Sequence, residues 1–236
     1  MTALLAAEQL HAHYGTFHVL HGIDLAIGRG ETVALMGRNG MGKTTLLRTL
    51  MGLVQQRSGR VLLDDDDISC APPEAIARAG VAFVPEGRGI FASLNVTENL
   101  VMAARAAPDG RRTWTLARIF ALFPRLAERR HHWGNQLSGG EQQMLTLGRA
   151  LMTNPQLILI DEATEGLAPM IAQSIWQTLR AIRQEGVAAL VVDKDFRALS
   201  GLADRVLLMT KGELVFTGTP AELNAQHELL ERHLGV

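Results

Sequence analysis

Two groups of residues in this 236-residue chain have the types and spacing for phosphate chemistry. The segment Gly37-Arg38-Asn39-Gly40-Met41-Gly42-Lys43-Thr44 has the G-x-x-x-x-G-K-T form of a phosphate-binding loop. It leaves an apolar run, Thr32 to Met36, and leads into a helix-compatible stretch, Thr45 to Met51. Such a loop aims backbone N–H groups at phosphates, and the helix N-terminus behind it adds a favourable dipole. Gly37, Gly40 and Gly42 permit the backbone geometry and the close approach, with Asn39 between them and Thr45 just beyond. Lys43 is placed to reach terminal phosphates, and the Thr44 hydroxyl to ligate Mg2+. The second group is Asp161-Glu162, ending the apolar run Leu157 to Ile160. Asp161 would hold Mg2+ or its water, and Glu162 would act as general base on an attacking water.

A third segment, Leu137-Ser138-Gly139-Gly140-Glu141, precedes a helix-compatible stretch from Glu141 to Met152. Exposed amides and a hydroxyl at a helix start form another anion site. The loop, this LSGGE run and the Asp-Glu strand end occur together and in this order. In that combination the chain resembles the ATP-binding-cassette (ABC) ATPases. The resemblance implies ATP as substrate, Mg2+ as cofactor and a head-to-tail dimer. Ser138, Gly139 and Gly140 of one chain would then face the γ-phosphate held by the other chain's loop. Glu165-Gly166-Leu167-Ala168-Pro169 is similar to the cooperating D-loop. Tyr14, ahead of the phosphate loop, occupies the place of an adenine-stacking aromatic; a core aromatic is the alternative.

Three positions depart from the common family pattern. After Val81–Val84, where Gln usually touches Mg2+ and senses the transport partner, the chain has Glu86. After Val192 the usual His is replaced by Lys194, in Val191-Val192-Asp193-Lys194-Asp195. A lysine ammonium can pair with a γ-phosphate as a point charge, but it does not work as a neutral imidazole. Ala163 stands where Pro usually follows the catalytic Glu. Phe83-Val84-Pro85-Glu86-Gly87-Arg88 and Leu94-Asn95-Val96-Thr97-Glu98-Asn99-Leu100 are similar to the smaller ATPase subunit of branched-chain amino-acid importers. So are Leu137 to Met144 and Gly166 to Pro169. That resemblance implies partners: two transmembrane permease subunits, a second ABC ATPase subunit and an extracytoplasmic solute-binding protein. It also implies a peripheral location on the cytoplasmic face of the inner membrane, with self-association in isolation.

The elements that position these groups are legible as patterns. Four apolar runs, Thr32–Met36, Val81–Val84, Leu157–Ile160 and Ala188–Val192, predict buried parallel strands separated by helices. The fold class is α/β; the resemblance implies a P-loop NTPase of ABC type, with an antiparallel β subdomain and a helical subdomain. Ligands of such sheets bind beyond the carboxyl ends of the strands, where the residues above lie. Residues 4–28, Val61–Leu63 and the hairpin Arg205–Thr210/Glu213–Thr217 predict a small antiparallel sheet gathered from distant segments. Residues 95 to about 136 predict the helical subdomain, entered through a capping box at Asn95 and Glu98 and broken at Pro108-Asp109-Gly110. One domain spanning 1–236 accommodates all of it.

Composition narrows the partners. Lys and Arg total 23 and Asp and Glu total 24, so the net charge of −1 recruits neither nucleic acid nor an anionic membrane. No apolar run approaches the roughly 20 residues of a bilayer span. The start, Met1 to Glu8, lacks the basic residues of a secretory signal, so the chain is expected in the cytoplasm. The single Cys70 suits a reducing compartment and reads as a small, partly buried side chain. Asp64-Asp65-Asp66-Asp67 reads as a solvated turn, and Arg125, Arg129, Arg130, His131 and His132 as an exposed helix face. A soluble ribosomal or DNA-acting ATPase lacks support: there is one cassette and no heptad run. A low-turnover regulatory subunit is the other alternative, motivated by Lys194 and Ala163.

Overall fold

The computed structural model describes residues 3–87 and 89–233; Arg88, in the Glu86 motif, lies outside them. Among the described residues ten strands form two sheets: β1 (Ala3–Tyr14), β2 (Phe17–Gly28), β3 (Thr32–Met36), β4 (Gln56–Leu63), β5 (Asp66–Asp67), β6 (Val81–Val84), β7 (Leu157–Asp161), β8 (Ala188–Val192), β9 (Arg205–Thr210) and β10 (Glu213–Gly218). The larger sheet has the order β10-β9-β3-β8-β7-β6, and every pairing except β10–β9 is parallel. The smaller, antiparallel sheet has the order β2-β1-β4-β5. The helices are α1 (Lys43–Leu50), α2 (Pro73–Arg78), α3 (Val96–Val101), α4 (Leu116–Leu122), α5 (Pro124–Glu128), α6 (Gly139–Met152), α7 (Pro169–Gln184), α8 (Phe196–Ser200), α9 (Pro220–Asn224) and α10 (His227–His233).

The parallel strands read as unbroken apolar runs because both faces of the large sheet are covered. All five residues of β3, β7 and β8 are buried. Side chains alternate between two separate cores, as the two-residue period of a strand requires. Ala34, Ile158, Ile160, Ala189 and Val191 face a core shared with α3 to α7. Val33, Leu35, Leu157, Leu159, Leu190 and Val192 face a second core, closed by α1 and the antiparallel sheet. Leu46, Leu47 and Leu50 of α1 fill that second core. The sheet is thus clamped between a helical layer and a β layer, with its carboxyl edge left open.

Strands β3, β6, β7 and β8 lie where the sequence places them. The β9–β10 hairpin is a correction. It forms, but β9 joins the large sheet, pairing in parallel with β3 from Val33↔Arg205 to Met36↔Leu208. The four central residues of β9, Val206 to Met209, are all buried. Such a strand needs cover on both faces, which only the central sheet supplies. Strand β4 is also longer than Val61–Leu63, beginning at Gln56 against His13.

In the insertion, the capping box at α3 is present: the Asn95 side chain accepts from the Glu98 N–H at 2.9 Å, and the Asn95 N–H donates to Glu98 at 2.8 Å. Its helices are shorter than the pattern suggested, with residues 104–115 largely irregular. Two buried amides hold the irregular backbone. Asn154 donates to Arg105 O at 2.8 Å and accepts from the Trp114 N–H at 2.7 Å. Asn99, fully buried, donates to the carbonyls of Phe91, Leu94 and Asn95 and accepts from the Phe91 N–H, each at 3.0 Å. Backbone groups in a buried loop need such partners. Cys70 is exposed rather than partly buried, because it sits in the turn after β5.

Candidate functional site

The parallel strands β3, β6, β7 and β8 deliver their carboxyl ends to one edge, and the predicted chemistry collects there. Strand β3 runs into the phosphate loop. Gly37 leaves it with φ 146°, and a Cβ there would meet the Met209 carbonyl oxygen at 2.3 Å, so no other residue fits. Lys43, only 6% exposed, folds back to donate to Gly37 O at 2.7 Å and Arg38 O at 3.0 Å. The loop is thereby tied across its mouth by the side chain that closes its motif. Burial holds the Lys43 pKa below its ordinary value, opposed by the nearby Glu162 and Asp161 carboxylates.

Strand β7 delivers the two carboxylates. Asp161 is 1% exposed, and Thr44 Oγ1 donates to it at 3.2 Å. Burial raises the Asp161 pKa, against the pull of the Thr44 hydrogen bond. Glu162 turns the chain through φ 47°, a left-handed conformation that costs a non-glycine residue about 1–3 kcal/mol. The turn is latched to the end of β8. The Glu162 N–H donates to Val192 O at 2.9 Å, and Thr164 Oγ1 donates to Asp193 at 2.6 Å. Ala163 is buried inside this turn.

Lys194 approaches Glu162 at 3.2 Å and also pairs with Glu165. Oxygens of Glu86, Glu162 and Glu165 lie within 4.8 Å of one another. Three carboxylates so close do not all ionise easily. Burial, and then the hydrogen bond to Glu165, push Glu162 up to about 7 even with Lys194 beside it. Glu165 moves down, because it accepts from Glu162 and from Lys194. Of the pair, Glu162 is the group held up towards neutral pH and Glu165 the one held down.

One pocket is lined by Asn39, Gly40, Gly42, Lys43, Thr44, Thr45, Glu86, Glu162, Glu165, Lys194 and Val19. Ser138, Gly139 and Gly140 are not part of it. Ser138 caps α6 through a reciprocal box with Glu141, whose carboxylate accepts from the Ser138 N–H at 2.8 Å. Ser138 is exposed, Gly139 partly so, and Gly140 is buried against Ile171. Tyr14 also stands apart, 45% exposed at the end of β1 and paired with Phe17. Val19, which sequence reasoning passed over, lines the pocket instead; a lone valine in a strand gives no signal. Glu165 was assigned to the D-loop without a charge role, although a carboxylate three residues beyond Glu162 in a tight turn was the available clue.

Phosphate loop, buried aspartate and raised glutamate on one sheet edge can hold a polyphosphate and activate a water. The chain belongs to the ABC transporter family, which matches residues 20–165. Within that class it is an ATP-binding subunit, an ATPase. The high-affinity branched-chain amino acid transport ATP-binding protein BraG of Pseudomonas aeruginosa is 38% identical to it, over 98% of this chain and 100% of BraG. The lipopolysaccharide export system ATP-binding protein LptB of Escherichia coli is 32% identical, over 99% of this chain and 98% of its own. The solved ATP-binding subunit of an ABC transporter, 26% identical, superposes with a TM-score of 0.82 over 96% of this chain and 94% of that one. The ADP conformation of MJ1267, an ATP-binding cassette at 22% identity and TM-score 0.80, covers 98% of both chains and shares the fold.

Proposed function

We propose that this chain is the ATPase motor of an importer for branched-chain amino acids or related small polar solutes. The observation that carries it is the similarity to BraG along the whole of both chains, joined to an intact hydrolytic edge. Among the described residues no helix is long and apolar enough to cross a membrane. Permease subunits would therefore supply the pore, with a second ATPase and an extracytoplasmic solute-binding protein completing the assembly at the cytoplasmic face.

In this reading the phosphates sit on the loop amides of Asn39 to Thr45, with Lys43 turned from its carbonyls onto them. Thr44 and Asp161, 3.2 Å apart, and the nearby Glu86 offer oxygen donors only, the set a hard cation takes. Thr44, Asp161 and Glu86 would hold Mg2+ there, and it would supply positive charge against that of the phosphates. Glu162 accepts the proton of the attacking water; a base with a pKa near the working pH suits that task. Lys194 orients the Glu162 carboxylate and balances the charge of Glu165. Ser138, Gly139 and Gly140 do not line their own chain's pocket, which leaves the exposed Ser138 to serve the pocket of a second subunit. The helical segment 95–136 and the Glu86 turn form the surface that meets the permeases.

Purification of the chain from native membranes in mild detergent, with mass spectrometry of its companions, tests the assignment. The expected companions are two multi-span permeases and a second ABC ATPase. Recovery of lipopolysaccharide-export components, favoured by the 32% identity to LptB, would redirect the solute. Ribosomal or DNA-bound companions without a permease would sink the transport reading.

A further inference from the structure

Four of the eight histidines lie together on the outer face of β1 and β2, and none of them lines the nucleotide pocket. His11 and His13 alternate on β1 with buried Leu10 and Ala12, so their side chains point outward. His13 pairs directly with His18 on β2. The His18 ring stacks on His13 with centroids 4.0 Å apart and planes within 8°. It also meets the His21 ring at 4.1 Å and the His11 ring at 5.2 Å. His18 is thus the hub of the group.

We propose that this patch is a binding site for one divalent transition-metal ion of the imidazole-preferring class, Zn2+, Ni2+ or Cu2+. His11 Nδ1 and His18 Nε2 stand 3.1 Å apart. Two imidazole nitrogens on one tetrahedral ion, each about 2.0–2.1 Å from it, stand about 3.3 Å apart. The first two ligands are therefore already spaced as a bound ion would hold them. The stacked His13 ring reaches the same ion by turning about its side-chain torsions, and His21 borders the site from further along β2. Neutral imidazole is the ligand form. The donor set is all nitrogen, which separates this ion from the Mg2+ expected among the oxygens of Thr44 and Asp161.

Titration of Zn2+ into the chelator-treated, nucleotide-free full chain tests the proposal, read by calorimetry and by imidazole 15N NMR. One equivalent is expected, with shifts at His11, His13 and His18 and none at His131, His132 or His227. His18→Ala removes the hub and should weaken binding at least about tenfold, while the double change His131→Ala/His132→Ala leaves it intact. His18 is exposed, so its removal leaves both cores whole; His11→Ala gives an independent second variant. No Zn2+ uptake, or uptake unchanged in His18→Ala, overturns the proposal. The latter result would place the ion among Glu86, Glu162 and Glu165 instead.

Discussion

Replacing Glu162 by Gln tests the charge arrangement at the sheet edge through stability as well as turnover. The Glu162 pKa rises from 4.5 to about 7 on folding. The folded chain therefore holds that proton more tightly than the unfolded chain, and ionisation works against the fold. This group's contribution to stability is present below pH 4.5 and lost as pH rises to about 7. The shift, at about 1.4 kcal/mol per unit, sets a ceiling of about 3.4 kcal/mol. Glu162 is 12% exposed on its side chain, but its partner Lys194 is 47% exposed, so solvent screens the cluster. A discounted value is about 1–2 kcal/mol. Glutamine does not titrate, so the variant should gain on the wild type as pH rises from about 5 to about 7.5. For a chain of this size the gain amounts to about 2–8 °C in Tm. Thermal melts of both proteins across that range, without nucleotide, measure it. The same variant should bind ATP and nearly cease to turn it over. A melting difference that is flat with pH, or that shrinks, refutes the raised Glu162; wild-type turnover removes it from the base role.

Lys194→Ala should lower hydrolysis while leaving ATP binding largely intact. It should also move the acid limb of the pH–rate profile upward, because loss of a neighbouring cation raises Glu162 further; unchanged turnover would make Lys194 a surface residue. Asn99→Ala should cost about 2 kcal/mol in urea unfolding: the Phe91 N–H loses its acceptor, while the carbonyls of Phe91, Leu94 and Asn95 keep the backbone N–H groups of Leu94, Gly134 and Asn99. Gly212→Ala should cost more than about 3 kcal/mol, because φ is 79° and the added Cβ would lie 1.9 Å from the Val19 carbonyl oxygen. Gly201→Ala, with its nearest neighbour at 3.7 Å, is the control and should stay within about 1 kcal/mol in the same measurement.

The strands that carry chemistry were legible because burial on both faces writes itself as a continuous apolar run. Val33 to Met36 and Leu157 to Ile160 have no alternation to confuse them. The β9–β10 hairpin shows where such reading stops. A turn at Lys211-Gly212 encodes local pairing, while the choice of sheet depends on what covers Val206 to Met209 from far away in sequence. The insertion was legible at its cap, where Asn95 and Glu98 are three residues apart. It was illegible at 104–115, because the partner that holds this backbone, Asn154, comes some forty residues later. Motif spacing marked Lys43, Thr44, Asp161 and Glu162. The pairing of Lys194 with both Glu162 and Glu165 depends on side-chain directions that no spacing specifies, and Val19 enters the pocket only because β2 passes beside it.

The link between Gly212 and the phosphate loop bears on how the chain is made. The Gly212 N–H donates to Met41 O at 2.9 Å, and the Gly212 carbonyl accepts from the His21 N–H at 2.9 Å. At the other end of β3, the Thr32 N–H donates to Asp204 at 2.9 Å, across 172 positions. A ribosome releases the residues of the phosphate loop early, yet the bonds that brace the loop wait for residues 204–212. Contacts so distant in sequence form late. A nascent chain stalled after β8 would carry every residue of the G-x-x-x-x-G-K-T motif without the brace that shapes it. The phosphate loop thus takes its braced shape only once residues 204–212 are in place.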